Sequence, residues 1–350
     1  MIFYYILVFI SAALVAAASM PAIFSLARIS GAIDVPRARH MHKKATPLLG
    51  GLAIYLGFTV AAAIAFLIVY GELVFPLPLL IAGGGAVVVL GAADDIINLK
   101  PVVKFLFQIA IAVCTAASGA VIERISVFGR YFEFGAFSIP ITVLWIVLLT
   151  NAVNLIDGLD GLACSISAIC SLTMFVVAVT MGQPMFALLT LALFGASVGF
   201  LPFNFPPAKM FMGDTGAMFL GYAMAVISVS GLFKLHAIIS FVTPIIIFAI
   251  PLIDTVFSFF RRLFSGKNPF GGDRGHLHYR LVDMGMSPKL TVAVLCAVTA
   301  VLGVAAILFS DYPVFALIII ASAVVFMICL AVAEKRHRAE KASKESKSEE

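Results

Sequence analysis

Charged side chains are scarce in this chain. Only 12% of its 350 residues are Asp, Glu, Lys or Arg, and 62% are hydrophobic, whereas soluble domains carry about 25% charged residues. The shortage excludes an ordinary soluble domain and predicts an integral membrane protein. The five cysteines, Cys114, Cys164, Cys170, Cys296 and Cys329, all fall in apolar runs without metal-ligand spacing, so they read as packing residues. No fixed-period repeat and no separate soluble domain are visible. The net charge of +5 is accounted for by the basic rim that membrane proteins present to anionic lipid, and no nucleic-acid partner is expected.

What is abundant is apolar sequence in runs long enough to cross roughly 30 Å of hydrocarbon as helix. Eleven such runs lie at 2–27, 48–70, 77–92, 102–120, 139–150, 162–181, 185–201, 218–233, 237–260, 290–309 and 314–332. The predicted fold is all-α, a single polytopic membrane domain over 1–333. A tail at 334–350, alternating Lys, Glu and Ser, is expected to be disordered. The run 139–150 is short, so it begins near Phe132 or ends on a protein-lined cavity, where short helices are tolerated. The first run has small residues at 16–19 resembling a cleavage site. No positive segment precedes it and Arg28, Arg37 and Arg39 follow, so it is read as a retained span.

Positive residues in short loops stay cytoplasmic. With the N-terminus outside and the C-terminus inside, all but Arg124, Arg130 and Lys234 of the 23 Lys and Arg residues fall on the cytoplasmic side. The same orientation collects five polar stretches there, at 34–51, 94–104, 151–161, 204–216 and 261–280. Carboxylates close to hydrocarbon are costly and mark function by default, so one assembled cytoplasmic site is expected.

Each stretch has an ordinary and a functional reading. Asp94 and Asp95 end a helix, where the dipole disfavours each carboxylate by roughly a few tenths of a kcal/mol. They need a cation, supplied either by Lys100 and Lys104 or by a hard divalent ion. Asn151, Asn154 and Asp157 recur at spacings of three and could share a helical face, while Asp160 could instead cap the helix that starts near Leu162. Asp214 is either a helix cap or part of a metal–phosphate site at a positive helix end, and Phe211 either an interfacial anchor or a base-stacking ring. Arg274, His276 and His278 suit a diphosphate clamp or plain topology, with a zinc site as the remaining reading. Arg39 and His42 lie in a basic loop that ends in Gly50-Gly51. Asp254, inside the ninth run, either pairs with Arg261 or Arg262 or belongs to a membrane carrier, the rival function class.

Taken together and in order over residues 30–290, these stretches resemble the polyprenyl-phosphate N-acetylhexosamine-1-phosphate transferase family. They are most like its bacterial UDP-GlcNAc:undecaprenyl-phosphate GlcNAc-1-phosphate transferase branch. The resemblance implies transfer of a sugar 1-phosphate from a UDP-sugar donor to a polyprenyl phosphate acceptor, with release of UMP. It also implies dependence on Mg²⁺, with Mn²⁺ as the alternative, and a bacterial inner-membrane enzyme initiating cell-envelope polysaccharide synthesis. Membrane lipids surround it, and a homodimer is left open.

By position, Asp94 and Asp95 match the family's aspartate pair and Lys104 its lysine. Asn154, Asp157 and Asp160 match its Asn-x-x-Asp-Gly-x-Asp-Gly element. Asp214 matches its metal-binding aspartate, Phe211 its uracil-associated aromatic, and His276 and His278 its His-x-His element. The implied roles are catalysis by Asp94, Asp95, Asp157 and Asp160, metal binding by Asn154, Asp214 and Asp95, and substrate binding by Arg39, His42, Lys104, Phe211, Arg274, His276 and His278. Two departures stand out: Tyr279 replaces a third histidine, and Arg39-His40 stands where Arg-Lys is common. The same chemistry with another UDP-sugar, including the peptidoglycan pentapeptide donor, is the alternative within the family.

Overall fold

The computed structural model describes residues 1–35, 45–127, 130–231, 239–266, 275–309 and 311–349. The chain is helical almost throughout. Its helices are α1 (Ile2–Ser30), α2 (Gly51–Tyr70), α3 (Leu77–Ile97), α4 (Pro101–Ala117), α5 (Ser138–Ile156), α6 (Leu162–Thr180), α7 (Pro184–Asn204), α8 (Gly213–Ser230), α9 (Ile239–Ile247), α10 (Ala249–Phe264), α11 (Leu277–Asp283), α12 (Pro288–Leu308) and α13 (Pro313–Glu349). Among the described residues, eight segments are long and apolar enough to cross a membrane: α1, α2, α3, Gly135–Ile156, α6, α7, α12 and Pro313–Leu330 of α13. The chain is a multi-pass membrane protein.

Helix α8 is the hub. Every residue from Thr215 to Ser230 is buried, as expected of a helix apolar on all sides, and α2, α3 and α5 pack around it. Small residues set these contacts. A Cβ on Gly51 would collide with the Gly216 backbone, one on Gly91 with Thr215, and one on Gly221 with Thr150. Close backbone approach through small residues is how membrane helices gain packing energy where no hydrophobic drive separates them from lipid. Interhelical hydrogen bonds add to it, from Trp145 Nε1 to Ser228 Oγ at 3.0 Å and from Tyr55 O–H to the Ile81 carbonyl at 3.0 Å.

Two departures from the sequence reading bear on the site. The short fifth run continues as helix to Ile156, which carries Asn151 and Asn154 on α5 and leaves Asp157 just beyond its end. The ninth run is two helices, α9 and α10, parted at Phe248. Pro251 has no N–H to give the Ile247 carbonyl, and Cys170 Sγ–H takes that carbonyl instead at 3.2 Å. Beyond residue 333 the backbone continues as α13, over a stretch whose Ala, Glu, Lys and Arg content favours helix.

Among the described residues, two small antiparallel pairings accompany the helices. β1 (Ile33–Asp34) pairs with β2 (Thr46–Pro47), and β3 (Arg124–Val127) with β4 (Arg130–Glu133). The first lies beside α8's N-terminus, because the Phe211 amide donates to the Pro47 carbonyl at 2.9 Å while the Gly50 and Gly51 amides donate to the Phe211 and Met212 carbonyls.

Candidate active site

Helix ends from distant parts of the chain meet at one end of the bundle: the last turns of α3 and α5, the first turns of α4 and α8, and the turn between α5 and α6. Asp94 ends α3, where its Oδ1 accepts the Leu99 amide at 2.7 Å and its Oδ2 accepts Lys104 Nζ at 3.0 Å. The cation beside Asp94 is therefore Lys104. The same ammonium also contacts Asp214 Oδ2, and Asn154 Nδ2 donates to Asp214 Oδ1 at 2.8 Å. Asp94, Lys104, Asp214 and Asn154 thus form one connected chain of charge and hydrogen bonds.

Asp95 engages the α8 backbone instead of Lys104. It accepts the Asp214 amide at 2.9 Å, the Thr215 amide at 3.1 Å and the Thr215 hydroxyl at 2.6 Å. Helix α8 has no side-chain cap of its own, so a carboxylate from α3 satisfies the amides its first turn leaves open. The cap reading of Asp214 fails for that reason, and Asp214 stays available to the site. Asp160 does not cap α6 either. Its Oδ2 accepts the Ala208 amide at 2.9 Å and ties the loop 205–209 to the α5–α6 turn, while Gly161 leads into α6 at φ +74, a conformation glycine adopts at no steric cost.

Between these ends lies a cavity of about 340 Å³. Its lining includes Asp34, Asp95, Asp157, Asp160 and Asp214, together with Asn154, Asn204, Phe211 and Tyr279, and among the described residues it holds no lysine or arginine. Asp157 is the exceptional carboxyl. Burial, and then the charges of Asp214, Asp95 and Asp160, push its pKa up to about 8, so in the isolated protein it holds a proton at neutral pH. A surplus of hard oxygen donors suits a hard divalent cation and does not suit zinc or another soft metal. Among the described residues no three acidic, His or Cys side chains converge as a ready-made cage, so such an ion would take further ligands from substrate.

Not every expected residue faces the cavity. Asn151 donates to Gln108 Oε1 at 2.7 Å and to the Val147 carbonyl, joining α5 to α4 beneath the site instead of sharing the face of Asn154. His276 and His278 are buried, at 5% and 1% exposure, and are absent from the lining. Burial and the neighbouring His276 push His278 down to about 4 against the pull of Asp254, so its ring is neutral and offers no cation to a diphosphate. Asp254 pairs with His276 Nδ1 at 3.0 Å and accepts the Leu277 amide at 2.8 Å, instead of finding its partner in Arg261 or Arg262. Arg39, His42 and Arg274 lie outside the described residues. Sequence reasoning missed Asp34, Asn204 and Tyr279 as lining residues. Asp34 and Asn204 each open one of the polar stretches, and Tyr279 stands in sequence where the resemblance expects a third histidine.

Known proteins resemble this chain over most of its length. Residues 77–232, which hold the α3, α5, α7 and α8 parts of the cavity lining, match glycosyl transferase family 4. A probable undecaprenyl-phosphate N-acetylglucosaminyl 1-phosphate transferase of Bacillus subtilis is 38% identical over 304 residues, covering 86% of this chain and 84% of that one. A decaprenyl-phosphate N-acetylglucosaminephosphotransferase of Mycolicibacterium smegmatis is 32% identical over 75% of this chain and 71% of its own length. A phospho-N-acetylmuramoyl-pentapeptide-transferase of Clostridium botulinum is likewise 32% identical, over 77% and 83%. With most of both chains aligned, this protein belongs to the polyprenyl-phosphate N-acetylhexosamine-1-phosphate transferases of glycosyl transferase family 4.

Proposed function

We propose that the protein transfers N-acetylglucosamine 1-phosphate from UDP-GlcNAc to undecaprenyl phosphate. An oxygen of the lipid phosphate attacks the sugar-bearing phosphorus, the bond between the two donor phosphates breaks, and UMP leaves with that electron pair. The observation that carries the reading is the cavity lined by five aspartates at the meeting of α3, α5 and α8. Both substrates are anions, so the site can accept them only with added positive charge.

Asp214, with Asp157 and Asn154 beside it, would hold Mg²⁺, or Mn²⁺ in its place. The ion would neutralise the donor diphosphate as charge shifts to the leaving UMP. Lys104 holds Asp94 and Asp214 in place and adds a nearby fixed positive charge. Phosphoryl transfer needs positioning and charge stabilisation more than covalent chemistry. A phosphate monoester has a second pKa of about 6 and is already a dianion near neutrality, so Asp94, ion-paired to Lys104, has little need to act as a strong base. Its role is to position the acceptor, and the displacement is direct. Phe211, in the cavity lining, would stack on the uracil ring. The Lys and Arg bias supports a cytoplasmic site in a bacterial plasma membrane.

The pentapeptide donor is the second reading, favoured by the similarity to the clostridial enzyme. Purified protein given undecaprenyl phosphate, Mg²⁺ and a panel of UDP-sugars tests both, with the lipid product identified by mass spectrometry. A lipid diphosphate carrying N-acetylhexosamine supports the first reading. One carrying the muramoyl pentapeptide replaces it with the second.

A further inference from the structure

Helix α10 presents Asp254, Ser258 and Arg261 at spacings of four and three, on one face. All three hold the short segment that leads into α11. Asp254 takes His276 Nδ1 and the Leu277 amide, Ser258 Oγ lies 3.3 Å from the same His276 nitrogen, and Arg261 Nη1 donates to the Gly275 carbonyl at 2.7 Å. The segment cannot shift without breaking several of these contacts at once. Asp254 and His276 are 5% exposed, so their bonds are shielded from water, and leaving either group unpaired is costly.

What this clasp holds up is the wall of the cavity. The His276 and His278 rings stack at 5.9 Å, nearly parallel at 7°. The edge of His278 rests on Gly158, where an added Cβ would collide with Nε2. Gly158 follows Asp157 in the turn that carries both Asp157 and Asp160. The next residue, Tyr279, is itself part of the lining and packs 4.2 Å from His278.

We propose that Asp254 is a positioning residue: through His276 and the Leu277 amide it fixes α11, so that His278 buttresses the Asp157–Gly158 turn and Tyr279 forms a wall of the cavity. The consequence for turnover rests on the transferase reading above; the mechanical linkage does not. The His-x-His element would then act from behind the aspartate turn instead of touching the substrate.

Hydrogen exchange on the full-length protein in detergent, read by mass spectrometry, separates the two. In Asp254→Ala, exchange should quicken in peptides covering 275–283 and also in those covering 156–161, with α1 and α7 unchanged. Asp254→Asn keeps an acceptor for the Leu277 amide and should stay near wild type. Quickening confined to 275–283, or spread evenly over the chain, would overturn the linkage. Should Asp254→Ala not fold, Gly275→Ala sets a Cβ against the Arg261 guanidinium and disturbs the same clasp more mildly, with the same peptides as readout. In UMP release, kcat per folded molecule should fall about 10–100-fold in Asp254→Ala, the range typical of outer-shell partners. The loss should not multiply with that of Gly158→Ala, because both displace one turn. Full multiplication, or wild-type kcat, would contradict the catalytic consequence. If the wild type releases no UMP from any donor, the transferase reading fails while the exchange data still decide the linkage.

Discussion

The Lys104 ammonium and the Asp214 carboxylate, 110 residues apart in sequence, are in direct contact, and the same ammonium reaches Asp94 at 3.0 Å. One cation therefore holds α3, α4 and α8 together at the point where the aspartates gather. Lys104→Met would leave two mostly buried carboxylates facing each other without a counter-charge, and losing one partner of a buried pair costs about 3–5 kcal/mol. These side chains keep partial access to water, so the lower end applies. Thermal unfolding should show a clear drop in Tm, and turnover should fall below about 1% of wild type because the charge also serves the reaction. A normal Tm with normal turnover would remove Lys104 from both roles.

Asp214→Ala should abolish turnover at every practical Mg²⁺ concentration while the protein still folds, because Asp95 supplies the cap of α8. A simple cap residue would behave differently, losing about 0.5–2 kcal/mol of stability and retaining measurable activity. The converse substitution, Asp95→Ala, removes the acceptor for two amides and a hydroxyl, and should lower Tm more than Asp214→Ala does. Paired melting curves test the order; the reverse order would refute this division of roles.

Asp157 gives a pH signature. Its carboxyl, raised to about 8 from an ordinary value of about 4, binds a proton more tightly in the folded protein than in the unfolded one. Its contribution to stability is therefore full below about pH 4 and is lost as pH rises through about 8. A cation entering the cavity must displace that proton, so Mg²⁺ affinity should rise up to about tenfold per pH unit between pH 6 and 8. Calorimetric Mg²⁺ titrations in buffers of different ionisation heat should show proton release that disappears in Asp157→Asn. Unchanged release in that variant would place the proton elsewhere.

Direct displacement predicts that labelled UMP does not exchange into UDP-GlcNAc when lipid is omitted. Exchange without lipid would mean a covalent sugar-phosphate on the enzyme, with Asp94 the first residue to examine.

Much of the helical architecture is legible in the sequence, because apolar run length is a local signal. Among the described residues most of each apolar run lies on helix, with eight segments long and apolar enough to span, and Asp95, Asn154, Asp157, Asp160, Phe211 and Asp214 line one cavity. What was not legible depends on partners brought in from elsewhere in the fold. Spacing of three put Asn151 on the same face as Asn154, but Gln108 on α4 draws it away. Nothing near Asp214 in sequence reveals that its helix is capped from α3. The histidines look like substrate ligands in a polar loop, yet Asp254, inside an apolar run, pulls His276 into the protein and His278 follows it.

The most direct test of the central claim is UMP release by purified wild-type protein and by Asp214→Ala, each given undecaprenyl phosphate, UDP-GlcNAc and Mg²⁺, with lipid or metal omitted in parallel. Release by the wild type that requires both lipid and metal, and is absent in folded Asp214→Ala, is the predicted result. Release that persists in Asp214→Ala, or none from the folded wild type with any UDP-sugar, would contradict an aspartate cavity that carries out sugar-phosphate transfer.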